Sequence, residues 1–496
     1  MELEAYRRSA EMFLAALERE YYRHYAGLQV SLEIEPIYSR HRELFGAAAV
    51  QSLRELRDAA PVGGEEHRRL GMLLDFAASG HLGDRTKTLE AELARREAGL
   101  SFAFDGERVG FRESAVLQAN EPDPRRRALI ERSRLDLIDA ELRPLLEELT
   151  ESRHARAEEL GWGSYRELCG DCKSIDLDEL HRQTEAFRVS TDVSYPEVLE
   201  PELRRTLGIG LRELQSADLP SFFRAPRHDR SFPTERLLAS FAQTLRDLGI
   251  DIESQPGLIL DIEPRPKKSP RAFCAPVRTP GEVYLVISPF GGRDDFEALF
   301  HEGGHAQHAA HVDPGLPFEF RYLGDNAIGE TYAFLLQHLI EDPHWLELHL
   351  GVRDAAELSG FARAKRLLYI RRYAAKLAYE LELHAPANGV SFDSLSHRYA
   401  ELLSAALGVK WPSETFLIDV DPGFYCTAYL RAWTLETRLR AHLRERFGTS
   451  WFLVREAGEE LRELWRQGQR LTPEELLDQL TGERFEFAML ADDLGV

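Results

Sequence analysis

Apolar residues recur at spacings of three and four from the start of the chain, with Leu3, Tyr6, Ala10, Phe13, Leu14, Leu17 and Tyr21 forming one stripe. That period predicts a helix with one buried face. The same pattern continues to about residue 215, broken at Pro61-Val62-Gly63-Gly64, at Glu121-Pro122-Asp123-Pro124 and at Gly161-Trp162-Gly163. The breaks are short and not of low complexity, so they read as connections between helices rather than as linkers between domains. Between about 218 and 293 the pattern changes. Pro and Gly become frequent, and the runs Leu258-Ile259-Leu260 and Val283-Tyr284-Leu285-Val286-Ile287 have the β-branched and aromatic content of strands. Helical spacing returns at Asp294 and persists nearly to the end, as in Phe361, Ala364, Leu367, Leu368 and Ile370. The expectation is a mainly α-helical protein with one small β-sheet. It is read as a single unit over 1–496, with a helical part at 1–217 and a second part at 218–496 that holds the sheet.

Composition narrows the class. With 43% hydrophobic and 29% charged residues in 496, the chain is long enough for a large core, and disorder is not the default. A formal net charge of -22 gives no electrostatic footprint for nucleic acid or an anionic membrane, so neither is expected as a partner. Four cysteines argue against a disulfide framework and fit a reducing compartment. The Cys169-Gly170-Asp171-Cys172 spacing is read as two ordinary buried thiols. The first residues mix charges of both signs with apolar ones, unlike a signal peptide, and no later run approaches a membrane span. A cytoplasmic location is the simplest expectation.

The chemistry lies in the segment from Asp294 to His305, an acidic helix start followed by an apolar stripe and ending in His301-Glu302-Gly303-Gly304-His305. On a helix, residues four apart share a face, so His301 and His305 can present two imidazoles to one Zn2+. Glu302, turned about 100° from His301, can reach a water beside the metal without being a ligand. Gly303 and Gly304 each cost a helix about 1 kcal/mol relative to alanine. Their presence predicts close approach of another backbone, most naturally that of the helix carrying the third ligand.

Two residues compete for that third position. His311 has the spacing of the HExxHxxGxxH zincins, but His308 stands where that motif needs a helix-breaking glycine, and the only later methionine is Met489. Glu330, in the capped apolar segment from Asp325 to Leu336, is the better candidate, because a carboxylate on a buried face needs a cation and two histidines plus one glutamate leave a metal position open. His308 and His311 are then bystanders. Tyr425 and Tyr429, four apart, are candidates to donate hydrogen bonds to a developing oxyanion.

The HEGGH motif followed by Glu330 resembles the thimet oligopeptidase and oligoendopeptidase F family of zinc peptidases. Arg271-Ala272-Phe273-Cys274 and the stretch from Ala155 to Tyr165 are similar to segments of that family. The resemblance implies a two-lobed zincin-type fold with a deep substrate cleft beside the sheet. It implies one Zn2+ per chain held by His301, His305 and Glu330, Glu302 as general base, and short peptides as substrates cut at internal bonds. It also favours Tyr425 and Tyr429 as catalytic groups, since the family carries His-Phe-Tyr followed by a second tyrosine. Here Gly423 replaces that histidine. The departure leaves Asp419 or Asp421 as substitutes and keeps open a catalytically weakened peptide-binding relative; a zinc carboxypeptidase of similar helical fold is a separate alternative.

Overall fold

The computed structural model describes residues 2–353, 355–386 and 390–496. The chain is predominantly helical, with two small sheets. All three expected breaks separate helices: Ala47–Ala59 from Glu65–Gly99, Phe111–Asn120 from Pro124–Leu137, and Arg143–Glu159 from Tyr165–Lys173. Among the described residues no helix is long and apolar enough to cross a membrane.

The amino-terminal half is not helical throughout. Strands β1 (Ser101–Phe104) and β2 (Glu107–Gly110) form an antiparallel hairpin across Asp105-Gly106. Both turn residues have positive φ, 54° and 84°, the geometry that Asp-Gly favours in a two-residue hairpin loop. The expectation of a single sheet is therefore corrected to two.

The second sheet comprises β3 (Leu258–Asp261), β4 (Phe273–Arg278) and β5 (Glu282–Val286), in the order β3-β5-β4. The central strand, β5, buries Val283, Leu285 and Val286; β3 runs parallel to it and β4 antiparallel. Pro276 is tolerated because β4 is an edge strand, where a missing N–H breaks no second ladder.

The chain folds into two compact units assembled from distant stretches. The first comprises Met1–Ala77, His228–Ser359 and Ala428–Leu490; the second comprises Ala78–Arg227, Gly360–Thr427 and Ala491–Val496. The division is thus interleaved along the sequence, with residues up to 77 grouped with the segment that carries the HEGGH motif.

In the first unit the amino-terminal helix Leu3–Tyr25 packs on β4. Tyr22 stacks on Tyr284 with ring centres 3.7 Å apart, and Tyr25 meets Phe273 edge-on. Arg7 and Arg69 neutralise the fully buried Glu319 at 2.6 and 3.2 Å. The motif helix, Arg293–His311, lies against β4, β5 and the helix Thr234–Asp247. Phe241, Phe300 and Trp345 interlock edge-to-face beneath it, with neighbouring ring centres 5.2 and 5.1 Å apart. Each such buried ring contributes about 1.5–3 kcal/mol, so the motif helix rests on a rigid bed. In the second unit, Phe361, Ala364, Leu367, Leu368 and Ile370 are buried as their spacing predicts. The buried Arg371 donates to the carbonyl oxygens of Ala406 and Arg188 and pairs with Asp192.

Candidate metal centre

The motif helix starts differently from the sequence expectation. Gly292, at φ 90°, occupies the capping position, and Asp294 is exposed in the first turn. Asp295 instead accepts the backbone N–H groups of Phe290 and Gly291, folding the preceding loop onto the helix start. The helix with the third candidate ligand, Asn326–Gln337, is capped as expected: the Asp325 side chain accepts the Ala327 N–H at 3.0 Å. Its Ile328 and Leu335, with Leu339 just beyond, are buried.

These two helices pack face to face, and the glycines set how closely. A Cβ on Gly304 would stand 2.4 Å from the Tyr332 carbonyl oxygen and 2.5 Å from the Ala333 Cα. The backbone that approaches Gly304 is therefore that of the helix carrying Glu330. Gly303 has a different reason, since a Cβ there would stand 2.4 Å from the Phe241 ring. Replacing Gly304 with leucine is expected to force the helices apart, lower stability by about 2–3 kcal/mol and reduce zinc occupancy. Metal analysis of the purified variant checks this, and unchanged zinc content would sink it.

Close packing brings three donors together. His301 Nε2 lies 3.5 Å and His305 Nε2 3.8 Å from Glu330 Oε2. The ligand atoms of the three residues all fall within 4.8 Å of one another. Ligand bonds of about 2.0–2.2 Å in tetrahedral array separate donors by about 3.4 Å, so the side chains fit an ion of zinc's size with little movement. Burial lowers the pKa of His301 to about 4 and that of His305 well below its ordinary value, which leaves both imidazoles neutral, the form that binds metal. His311 takes no part. The helix continues unbroken to it, so its ring points away, hydrogen-bonds the Gln307 carbonyl at 2.8 Å and packs on Trp465. His308 is buried, with Nε2 3.3 Å from the Gly468 carbonyl oxygen.

Glu302 is aimed from outside the ligand set. Its Oε2 accepts the Cys274 N–H from β4 at 2.9 Å. Burial pushes its carboxyl up to about 8, the Cys274 N–H opposes that shift and the nearby Glu330 adds to it. A divalent cation held by His301, His305 and Glu330 would draw it back toward the carboxylate.

Sequence reasoning missed the groups around His301. Phe334 packs edge-on against it, with ring centres 5.2 Å apart, and Gln337 Oε1 lies 2.8 Å from its Nδ1. Both follow Glu330 at helical spacing, by four and seven residues, which is the signal that could have found them. Tyr429, on the helix Cys426–Phe447, reaches this group through Phe334, whose ring centre is 6.0 Å away, and stacks on Trp433.

Tyr425 belongs to the second unit, in the turn just before that helix. Gly423, in the same turn, adopts φ 69° and donates its N–H to Tyr165 Oη at 2.8 Å. The position where the resembling family has histidine is thus held in a left-handed conformation that side chains strain to adopt. Asp419 and Asp421 are committed elsewhere, Asp419 to Arg372 and Tyr399 and Asp421 to Lys376. As carboxylates they accept hydrogen bonds and donate none. Cys169 and Cys172 are both buried and not joined in a disulfide.

Comparison with known proteins finds no family model and no curated protein that matches this chain.

Proposed function

We propose that this chain is a zinc-dependent metallopeptidase that hydrolyses internal bonds of short peptides. The observation that carries the reading is the convergence of His301, His305 and Glu330 with Glu302 fixed beside them by the Cys274 N–H. Two neutral imidazoles and one carboxylate form a donor set that suits Zn2+ and leaves a position open, as catalytic sites require. Membership of the oligopeptidase family, a two-lobed zincin fold with a deep cleft and a cytoplasmic location belong to the same proposal.

When bound, the metal supplies positive charge that polarises a water molecule and the scissile carbonyl. Glu302, tethered through Oε2, keeps Oε1 to take a proton from the attacking water and hand it to the leaving amine. His301, His305 and Glu330 keep their donor atoms gathered through the reaction because the two helices meet at Gly304. Tyr429 is assigned to donate its hydroxyl hydrogen to the developing oxyanion.

The test is cleavage of a mixed library of short peptides, with free and with blocked C-termini, by the purified full chain before and after metal chelation. Internal cleavage of both peptide sets, lost on chelation and restored by zinc, is expected. Cleavage restricted to free C-termini would instead indicate a carboxypeptidase. Zinc at one per chain without any cleavage would indicate a peptide-binding relative, a possibility motivated by Gly423.

A further inference from the structure

A hydrogen-bond chain runs from His301 through the helix that carries Glu330 and back to the start of the motif helix. His301 Nδ1 lies 2.8 Å from Gln337 Oε1, and Gln337 Nε2 donates to Glu297 Oε1 at 3.1 Å. Glu297 Oε2 is paired with Arg293 at 2.8 Å, and the same guanidinium reaches Glu341 at 3.3 Å. Arg293 is 1% exposed, so the far end of the chain is a fixed buried cation between two carboxylates.

The order of donors along this chain is not free. A carboxylate paired with arginine only accepts, so the Gln337 amide must turn its NH2 to Glu297 and its carbonyl oxygen to His301. A carbonyl oxygen also only accepts. His301 must therefore carry its proton on Nδ1, which leaves the Nε2 lone pair facing Glu330 and His305. Among the described residues His305 has no corresponding hydrogen-bonded partner.

We propose that Gln337 is a positioning residue for the metal: its amide, oriented by Glu297, fixes the tautomer and the aim of His301. The inference rests on the metal reading above. It adds that one helix supplies a ligand in Glu330 and, two turns later, the hold on a second ligand. Metal sites commonly anchor a histidine with a carboxylate or a backbone carbonyl. A side-chain amide does so here without adding negative charge, and it is useful only while Glu297 prevents it from flipping.

The test compares wild type, Gln337→Leu and the swapped pair Gln337→Glu with Glu297→Gln as purified full chains. Zinc affinity is measured by chelator competition, and the protonated ring nitrogen of His301 is read in the metal-free protein by 15N NMR of labelled histidine. Gln337→Leu is expected to weaken zinc binding about 10–100-fold and to lose the exclusive Nδ1–H form. The swapped pair, which keeps an acceptor for Nδ1–H and one NH2 donor between positions 297 and 337, is expected to stay within about threefold of wild type. Wild-type affinity in Gln337→Leu would overturn the proposal, as would equal losses in both variants, which would mean that Gln337 acts only by packing. If wild type binds no zinc, the metal reading fails, and the NMR result still decides this one: an Nε2–H form in metal-free wild type refutes it.

Discussion

Glu302→Gln is expected to bind zinc as wild type does and to lose peptide hydrolysis by about two to four orders of magnitude. Glutamine has the same shape and can still accept the Cys274 N–H, so the side chain stays where the 2.9 Å hydrogen bond places it. What disappears is the ability to take up a proton at Oε1. The ligand atoms belong to other residues, so metal content is expected to hold within a few-fold. Paired measurements of zinc stoichiometry and of kcat/KM on one peptide check this. Hydrolysis within tenfold of wild type would remove Glu302 as the base.

The same substitution has an opposite effect on the metal-free protein. Burial raises the Glu302 pKa from 4.5 to about 8. A carboxyl with a raised folded-state pKa contributes its full stability below 4.5 and loses it as pH rises toward 8. Metal-free wild type is therefore destabilised over that window, and Glu302→Gln is not. At neutral pH without metal the variant is expected to unfold at the higher temperature, so its catalytic loss cannot be ascribed to misfolding.

The parts of the site legible in the sequence are those that depend on one helix at a time. His301 and His305 follow from the helical period alone. Gly304 was informative because a glycine inside a helix needs an external reason, and the Tyr332 carbonyl supplies it. Helical spacing from Glu330 puts Gln337 on the right face, but that it meets His301 depends on the register between two helices, which no local pattern encodes. The strand β4 was missed because Pro276 argues against a strand and only its edge position permits one. The hairpin was legible and was overrun: Asp105-Gly106 between Phe104 and Val109 is a turn signal that the surrounding helical spacing obscured. The interleaved units lay beyond local reading, since they depend on contacts such as Arg7 with Glu319, hundreds of residues apart.

Glu330→Gln is expected to weaken zinc binding by about two orders of magnitude. Zinc sites of four ligands release about 10–16 kcal/mol on binding, so one ligand accounts for about 3 kcal/mol, or a little over two decades in Kd. The amide oxygen keeps the shape but not the charge that two neutral imidazoles cannot replace. His311→Ala is the control that separates the two candidate third ligands, and it is expected to leave affinity unchanged, since its ring hydrogen-bonds Gln307 and packs on Trp465. Thermal unfolding provides a second readout. A ligand that binds only the folded state raises Tm by an amount that grows with the logarithm of its concentration over Kd, so the rise with zinc expected in wild type and in His311→Ala should be clearly smaller in Glu330→Gln. The reverse pattern, with affinity lost in His311→Ala and kept in Glu330→Gln, would assign the site to the three-histidine class. The unbroken helix from Arg293 to His311 argues against that outcome, because three histidines from one helix can close on an ion only where the helix ends before the third.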